Sequence, residues 1–475
     1  MGNSPHTTVT PIHILDDDSL LNIFYLYRPA LLDGDETYHT RLEGGKPWGR
    51  ERWWYTLAHV CQRWRNLILG SASYLGVCLV CTIGTPVADM LAHSPPLPLI
   101  IDYVSKDGIT AEDEEAIVLA LEKRDRVRRI RIGVRSLDFQ KLAMAIDEEY
   151  PFLEYLILAP STENTSKVLV LPETLQAPRL RHFALSSLTL PIGSRLLTTA
   201  VGLVTLYLRP DWPFPTSTLL QWLSFIPQLE TFAILFLFPL PYSDVEGQAI
   251  HMPNMTHITL PNLRWFAFHG VSAYLEAVVR RITAPRLETF QIGFSQQLTF
   301  SIPRLLQFLN TTENLRFDSA TFQFGGKVVY VDVYLREEAE TYALLLNVDC
   351  SRLNLQVSSV AQIFDALNQI FSPVEHLTLE HKVHSQSSEE HNEVDRTEWR
   401  KLLRSFSNVR TLSVEGGLVK ELARCLRLDD GEPSLGLLPE LQELTCFGSG
   451  DTGEALTSFV QARQNAGRPV TLIRR

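Results

Sequence analysis

A short pattern recurs along this chain: an apolar residue, two variable ones, an apolar residue, one variable, and a last apolar residue. It reads Val127-Ile130-Ile132, Leu153-Leu156-Leu158, Leu180-Phe183-Leu185, Leu203-Leu206-Leu208, Leu229-Phe232-Ile234, Met255-Ile258-Leu260 and Leu287-Phe290-Ile292. Three later copies are Val374-Leu377-Leu379, Val409-Leu412-Val414 and Leu441-Leu444-Cys446. The last two apolar positions are two residues apart, which places them on one face of a short strand, and the first marks the turn into it. Early copies begin 23 to 27 residues apart, room for one strand, one returning segment and two turns. A unit so small cannot bury its own apolar face, so the pattern predicts stacked units sharing one elongated core. That suits a chain of 475 residues, which exceeds what one ordinary core supports.

Between the strand-like segments the sequence predicts helices. Residues 219–226 and 360–370 are amphipathic, as outer helices packed on a strand layer must be. Pro151, Pro178, Pro227, Pro285 and Pro439 stand just before strands, where proline fixes the approach without occupying a central ladder position. The copies become irregular over 293–372, where Leu353-Leu355-Val357 keep only a period of two. Residues 322–335 alternate like a hairpin turned at Gly325-Gly326, read as an insertion on the repeat array. The polar stretches 385–395 and 429–434 read as exposed loops.

Before the repeats the texture differs. Trp54, Leu57, Cys61, Trp64 and Ile68 recur at spacings of three and four, which predicts one helix face over 54–68 with Val60 beside it. A second apolar helix is expected over 18–26. A connector follows, with a short helix, a rigid turn and a strand over 90–102. Thr110 then opens a helix to about Arg124, with acidic residues in its first turn and basic ones from its end to Arg131, as the helix dipole favours.

Composition narrows the functional classes. With 45% hydrophobic and 20% charged residues the chain is not a disordered one. A net charge of −11 argues against bulk attraction to nucleic acid or an anionic membrane. Cys78 and Cys81 have the spacing of half a zinc site, but no second pair follows, and Val77, Leu79 and Val80 make the segment a buried strand. No metal or cofactor is expected. The cysteine usage suits a reducing compartment, and the first residues lack the apolar run of a secretion signal, so a cytoplasmic or nuclear location is expected. No nucleophile elbow, Walker loop, zinc-protease helix or dinucleotide fingerprint is present, and His381 and His384 on one strand end would point to opposite sides. No catalytic residue is expected.

The N-terminal segments resemble the F-box proteins with C-terminal leucine-rich-like repeats, especially the expanded group of mushroom-forming fungi. The family begins Leu-Pro-x-Glu with a following Ile-Phe, and this chain reads Leu15-Asp-Asp-Asp-Ser-Leu-Leu-Asn-Ile-Phe24. The family's later half is matched by Val60-Cys-Gln-Arg-Trp-Arg-Asn-Leu-Ile68. Asp16 stands where the family has proline, and about twenty polar, glycine-containing residues separate the halves. The resemblance implies an α/β chain: an F-box-like helical bundle, then an irregular leucine-rich-repeat-like solenoid of short parallel strands and helices. Its organisation would be a flexible 1–11, a bundle over 12–76 with an insertion near 32–51, a connector over 77–126 and repeats over 127–475. It implies a substrate-recognition subunit of a Skp1-cullin-F-box ubiquitin ligase, with the adaptor on the bundle and a protein target on the repeats. Leu15, Leu20, Ile23, Phe24, Val60, Cys61 and Trp64 would face the adaptor or fill the bundle core. The alternative it leaves is a non-catalytic binding scaffold with a degenerate F-box-like region.

Overall fold

The computed structural model describes residues 14–29, 51–105, 107–134, 139–160, 169–210, 214–236, 257–295, 297–336, 342–382, 396–427, 436–447 and 453–474. Most of the segment between the N-terminal helices and the polar stretches 385–395 and 429–434 lie outside them. The chain divides into two compact units, Met1–Leu203 and Val204–Arg475.

The first unit is built on a parallel sheet in chain order: β1 (Leu79–Thr82), β2 (Leu99–Ser105), β3 (Val127–Val134), β4 (Tyr155–Leu158) and β5 (His182–Ser186). Cys81, Ile101, Ile130, Leu156 and Phe183 stand side by side and are buried; Ile130, Leu156 and Phe183 are middle positions of the repeat pattern, and the connector supplies the other two. β1 and β2 come from the connector and pair directly into this sheet. Helix Ala111–Leu121 begins at Thr110, whose hydroxyl accepts from the Asp113 backbone while the Asp113 carboxylate accepts from the Thr110 backbone. This reciprocal cap is the start expected from the sequence.

The N-terminal helices belong to the same compact unit as this sheet. The predicted helix over 54–68 is two, Trp53–Ala58 and Gln62–Gly70, broken at His59, Val60 and an extended Cys61. The break leaves Val60 58% exposed. Helix Asp17–Tyr27 is capped by Asp16, whose carboxylate accepts from Ser19 N–H at 2.7 Å, so a cap forms without the family's proline. The region is then tied to the sheet. Trp54 Nε1 donates to the Cys78 carbonyl at 3.0 Å, Arg52 donates to the Val80 carbonyl at 3.1 Å, and Glu51 meets Arg129 of β3 at 3.0 Å. These hydrogen bonds and this ion pair join the helical segment to the first strands within one compact unit.

The second unit departs further from a solenoid. Its strands are β6 (Thr205–Arg209), β7 (Thr231–Leu235), β8 (Ile258–Thr259), β9 (Trp265–Gly270), β10 (Ile282–Thr283), β11 (Thr289–Phe294), β12 (Ser319–Gly325), β13 (Val328–Tyr334), β14 (Tyr342–Asp349), β15 (His376–Lys382), β16 (Thr411–Glu415), β17 (Glu443–Phe447) and β18 (Thr471–Arg474). In the sheet they stand β6–β7–β9–β11–β14–β13–β12–β15–β16–β17–β18, with β8 and β10 paired apart. After β11 the chain skips two places to lay down β12, then returns through β13 and β14, antiparallel, to fill the gap. β11 therefore pairs with β14 and β12 with β15, both parallel and both distant in sequence. A repeat stack in which each unit touches only its chain neighbours does not do this. The leucine-rich-like solenoid is thus corrected to an α/β fold with a large mixed sheet and non-sequential strand pairing. The hairpin at Gly325-Gly326 forms as read, but within the sheet and not as an insertion upon it.

Two local readings change with it. The Met255-Ile258-Leu260 copy contributes only the two-residue β8, outside the main sheet. Its place is taken by β9, carrying Phe266 and Phe268. Leu353-Leu355-Val357 open the helix Leu353–Ala366, because Val357, Val360 and Phe364 supply a helical apolar face that outweighs the local alternation.

Helices cover one face of the second unit's sheet. Phe268 lies 6.2 Å from Tyr274, Phe290 5.8 Å from Phe308, Phe322 5.0 Å from Phe364 and Phe324 5.5 Å from Trp399, each partner belonging to a helix. Strand residues between these aromatics point the other way. From β11 to β16 they are largely polar and half-exposed: Gln291, Asn347, Asp349, Asp332, Gln323, Thr378, Glu380, Ser413 and Glu415, with Tyr330 45% exposed.

Candidate functional site on the open face of the second unit

The N-terminal residues singled out by sequence divide by burial. Leu20 and Phe24 are fully buried, and Phe24 meets the half-buried Trp64 edge-on at 4.9 Å. Leu15 and Cys61 are half-buried, while Ile23 and Val60 are exposed. Arg63, flanking them, donates to Asp17 and to the Leu15 carbonyl, both at 2.7 Å. Cys78 and Cys81 are buried thiols, and burial pushes them up to about 11 and about 12. Thiols held so far above the ordinary range are poor thiolate ligands and nucleophiles. Among the described residues, no group of three His, Cys, Asp or Glu side chains is placed to hold a metal.

The titratable pair that stands out was not expected from sequence. His269 near the end of β9 places its Nε2 3.6 Å from Asp349 Oδ2 at the end of β14. β11 runs between them, and in register His269 stands beside Gly293, which stands beside Asn347. Gly293 makes the approach possible. A Cβ there would sit 3.0 Å from Cγ of the His269 ring, closer than real Cβ atoms settle without displacing a neighbour. The imidazole therefore lies over the glycine and reaches the carboxylate of the next strand.

Environment tunes both groups. Burial depresses the His269 pKa, Asp349 opposes that shift, and Arg209 adds to it. Burial raises the Asp349 pKa, with His269 pulling the other way. At 3.6 Å the two do not form a hydrogen bond, and His269 Nε2 is buried with no hydrogen-bond partner. Ser295 completes the corner. Its backbone N–H donates to the Gly270 carbonyl at 3.2 Å, so the β9–β11 pairing continues through it. The β11–β14 register ends at Phe294 beside Val348, which brings Ser295 next to Asp349. Strand alternation puts Ser295 on the face of Gln291 and Gly293. It is 9% exposed, and its Oγ has no hydrogen-bond partner.

His269 and Asp349 thus approach one another, with Ser295 following the strand between them, at the C-terminal ends of three neighbouring parallel strands, where ligands gather in parallel α/β sheets. The one available hint in sequence is Gly293, a glycine between Ile292 and Phe294 inside a strand pattern. The partners themselves are concealed by the detour through β12 and β13.

No family model matches the chain, and no curated protein matches it. The resemblance to F-box proteins with leucine-rich-like repeats is corrected accordingly: neither a family match nor the topology sustains it. The Skp1-type adaptor, the cullin connection, the target on a repeat array and the ligase role that depended on it are set aside with it, as is the degenerate F-box scaffold. No helix among the described residues is long and apolar enough to cross a membrane.

Proposed function

We propose that this protein is non-catalytic and that the open sheet face of its second unit recognises a polar ligand, with His269, Ser295 and Asp349 as the anchoring corner. The observation that carries the reading is the asymmetry of that sheet. One face is packed with phenylalanines against helices, while the other offers half-exposed amides, hydroxyls and carboxylates from β11 to β16. Exposed side chains on rigid strands favour recognition because their geometry is set before the ligand arrives. A reducing compartment, cytoplasm or nucleus, is supported by the unpaired state of all six cysteines.

A thermal-shift and NMR screen of sugars, amino acids, organic acids and amines tests the reading. Ligands are expected to raise the melting temperature of the full chain and to lose that effect in Tyr330→Ala and Asp349→Asn. Hits that survive both substitutions, or a ligand converted in excess over protein, would overturn it.

A further inference from the structure

We propose that the ends of β9, β11 and β14 form a subsite for a primary alkylammonium group, held by Asp349, His269 and Ser295 around Gly293. The proposal rests on the open-face reading above and names the ligand chemistry for its anchoring corner.

Two buried atoms at this corner lack a hydrogen-bond partner, and a half-exposed carboxylate stands beside one of them. Asp349 Oδ2 faces His269 Nε2 at 3.6 Å, too far for a hydrogen bond. His269 Nε2 and Ser295 Oγ are buried with no hydrogen-bond partner. Leaving buried polar atoms unmade is costly, and such atoms call for an explanation. All three can accept: a carboxylate oxygen, an unprotonated ring nitrogen and a hydroxyl oxygen. An alkylammonium offers three N–H donors on one compact atom, one for each strand's contribution. Other classes fit worse. An anion meets the Asp349 carboxylate. A sugar hydroxyl carries one donor for three acceptors. A guanidinium presents a planar fork suited to a single bidentate carboxylate. A metal ion would lack a third strong ligand among the described residues.

Charge on the surrounding face points the same way. Asp332, Glu380 and Glu415 share it with Lys382, which itself lies 3.6 Å from Glu380. Asp332 is half-buried on β13, within electrostatic reach of Lys382 and Glu380. Burial lowers the His269 pKa, and Arg209 of β6 adds to that shift.

A primary ammonium reaches such a site either on a free polyamine or on a lysine side chain of a peptide, and titration calorimetry on the full chain separates the two. The probes are spermidine, a nine-residue peptide with one central lysine, and the same peptide acetylated on that lysine. At low ionic strength, one-to-one binding of spermidine or of the unmodified peptide is expected, weakened about 10–100-fold by Asp349→Asn, the loss typical of a charged hydrogen bond. Spermidine alone binding assigns the free amine; the peptide alone binding, with loss on acetylation, assigns the lysine. Ser295→Ala provides a second reading that leaves the charge in place, and it is expected to weaken either ligand by a smaller factor. Affinity unchanged in both variants, equal binding of the acetylated peptide, or no binding by either amine would overturn the proposal. Screening hits of another chemistry lost in Tyr330→Ala would still uphold the open-face reading.

Discussion

Asp102 on β2 and Arg131 on β3 occupy the face of the first unit's sheet that lies opposite Ile101 and Ile130. They are joined by two hydrogen bonds of 2.7 and 2.9 Å, and both side chains are at most 4% exposed. His269 and Asp349 occupy the equivalent face of the second unit's sheet, separated by 3.6 Å and more than a third exposed. The first face is overlaid by the N-terminal segment: Cys78, Val80 and Ile100 form a small apolar cluster there, and Trp54, Arg52 and Glu51 reach onto it. The second keeps its polar strand residues half-exposed from β11 to β16. Burial closes a charge pair upon itself, because each ion must be matched before it leaves water. Partial exposure leaves a pair unmatched and therefore usable.

The contrast is tested most severely by Arg131→Met. Asp102 would keep its burial and lose its bidentate partner, so the first unfolding transition of the full chain in urea is expected to lose about 3–5 kcal/mol. Replacing Asp102 by leucine as well should recover most of that loss, and failure to recover would mean that the pair does more than neutralise itself. Gly293→Ala is next. The added methyl meets the His269 ring, and an overpacked site of this kind costs about 1–3 kcal/mol by the same measurement. A neutral outcome would show that the ring moves away without resistance, and that the His269–Asp349 approach is not built in.

Asp349→Asn is expected to change stability by less than about 1 kcal/mol, since exposed pairs contribute little. A loss as large as that of Arg131→Met would erase the distinction between the two faces. The smallest effect is in the titration of His269, read by the NMR shifts of its ring. Its pKa is expected below the ordinary histidine value, and lower still in Asp349→Asn, because the carboxylate opposes the shift. The sign for stability follows. A histidine depressed in the folded state contributes stability above its unfolded value, and that contribution is lost as pH falls through the folded value. Asp349, raised by burial, contributes in the opposite sense: its stability is present below the unfolded carboxyl value and lost as pH rises through the folded one. An elevated His269 pKa would show that the pair is a closed ion pair like the one in the first unit.

Much of the local structure is legible in the chain because it depends on near neighbours. The two-residue period places Leu156, Phe183, Phe232, Phe290 and Leu412 on buried strand positions, as the structure has them. Thr110 and Asp113 start a helix by hydrogen bonds spanning three residues, and Gly325-Gly326 turn a hairpin between adjacent segments. The pattern also fits Leu263-Phe266-Phe268, which forms β9, whereas the preceding Met255-Ile258-Leu260 yields only the short β8, and such near-degenerate copies show where a periodic signal loses register. What the sequence could not settle is which strands become neighbours. A strand's alternation says that one face is buried, not against which partner, and β11 with β14 satisfies it as well as β11 with β12. Only tertiary structure chose the first, by returning β13 and β14 into the gap that β12 left. That choice set His269 and Asp349 at 3.6 Å although 80 positions separate them, and it turned an apparent repeat into a mixed sheet. Patterning is local because each side chain's direction follows from its own backbone, whereas strand neighbourhood depends on the packing of the whole unit.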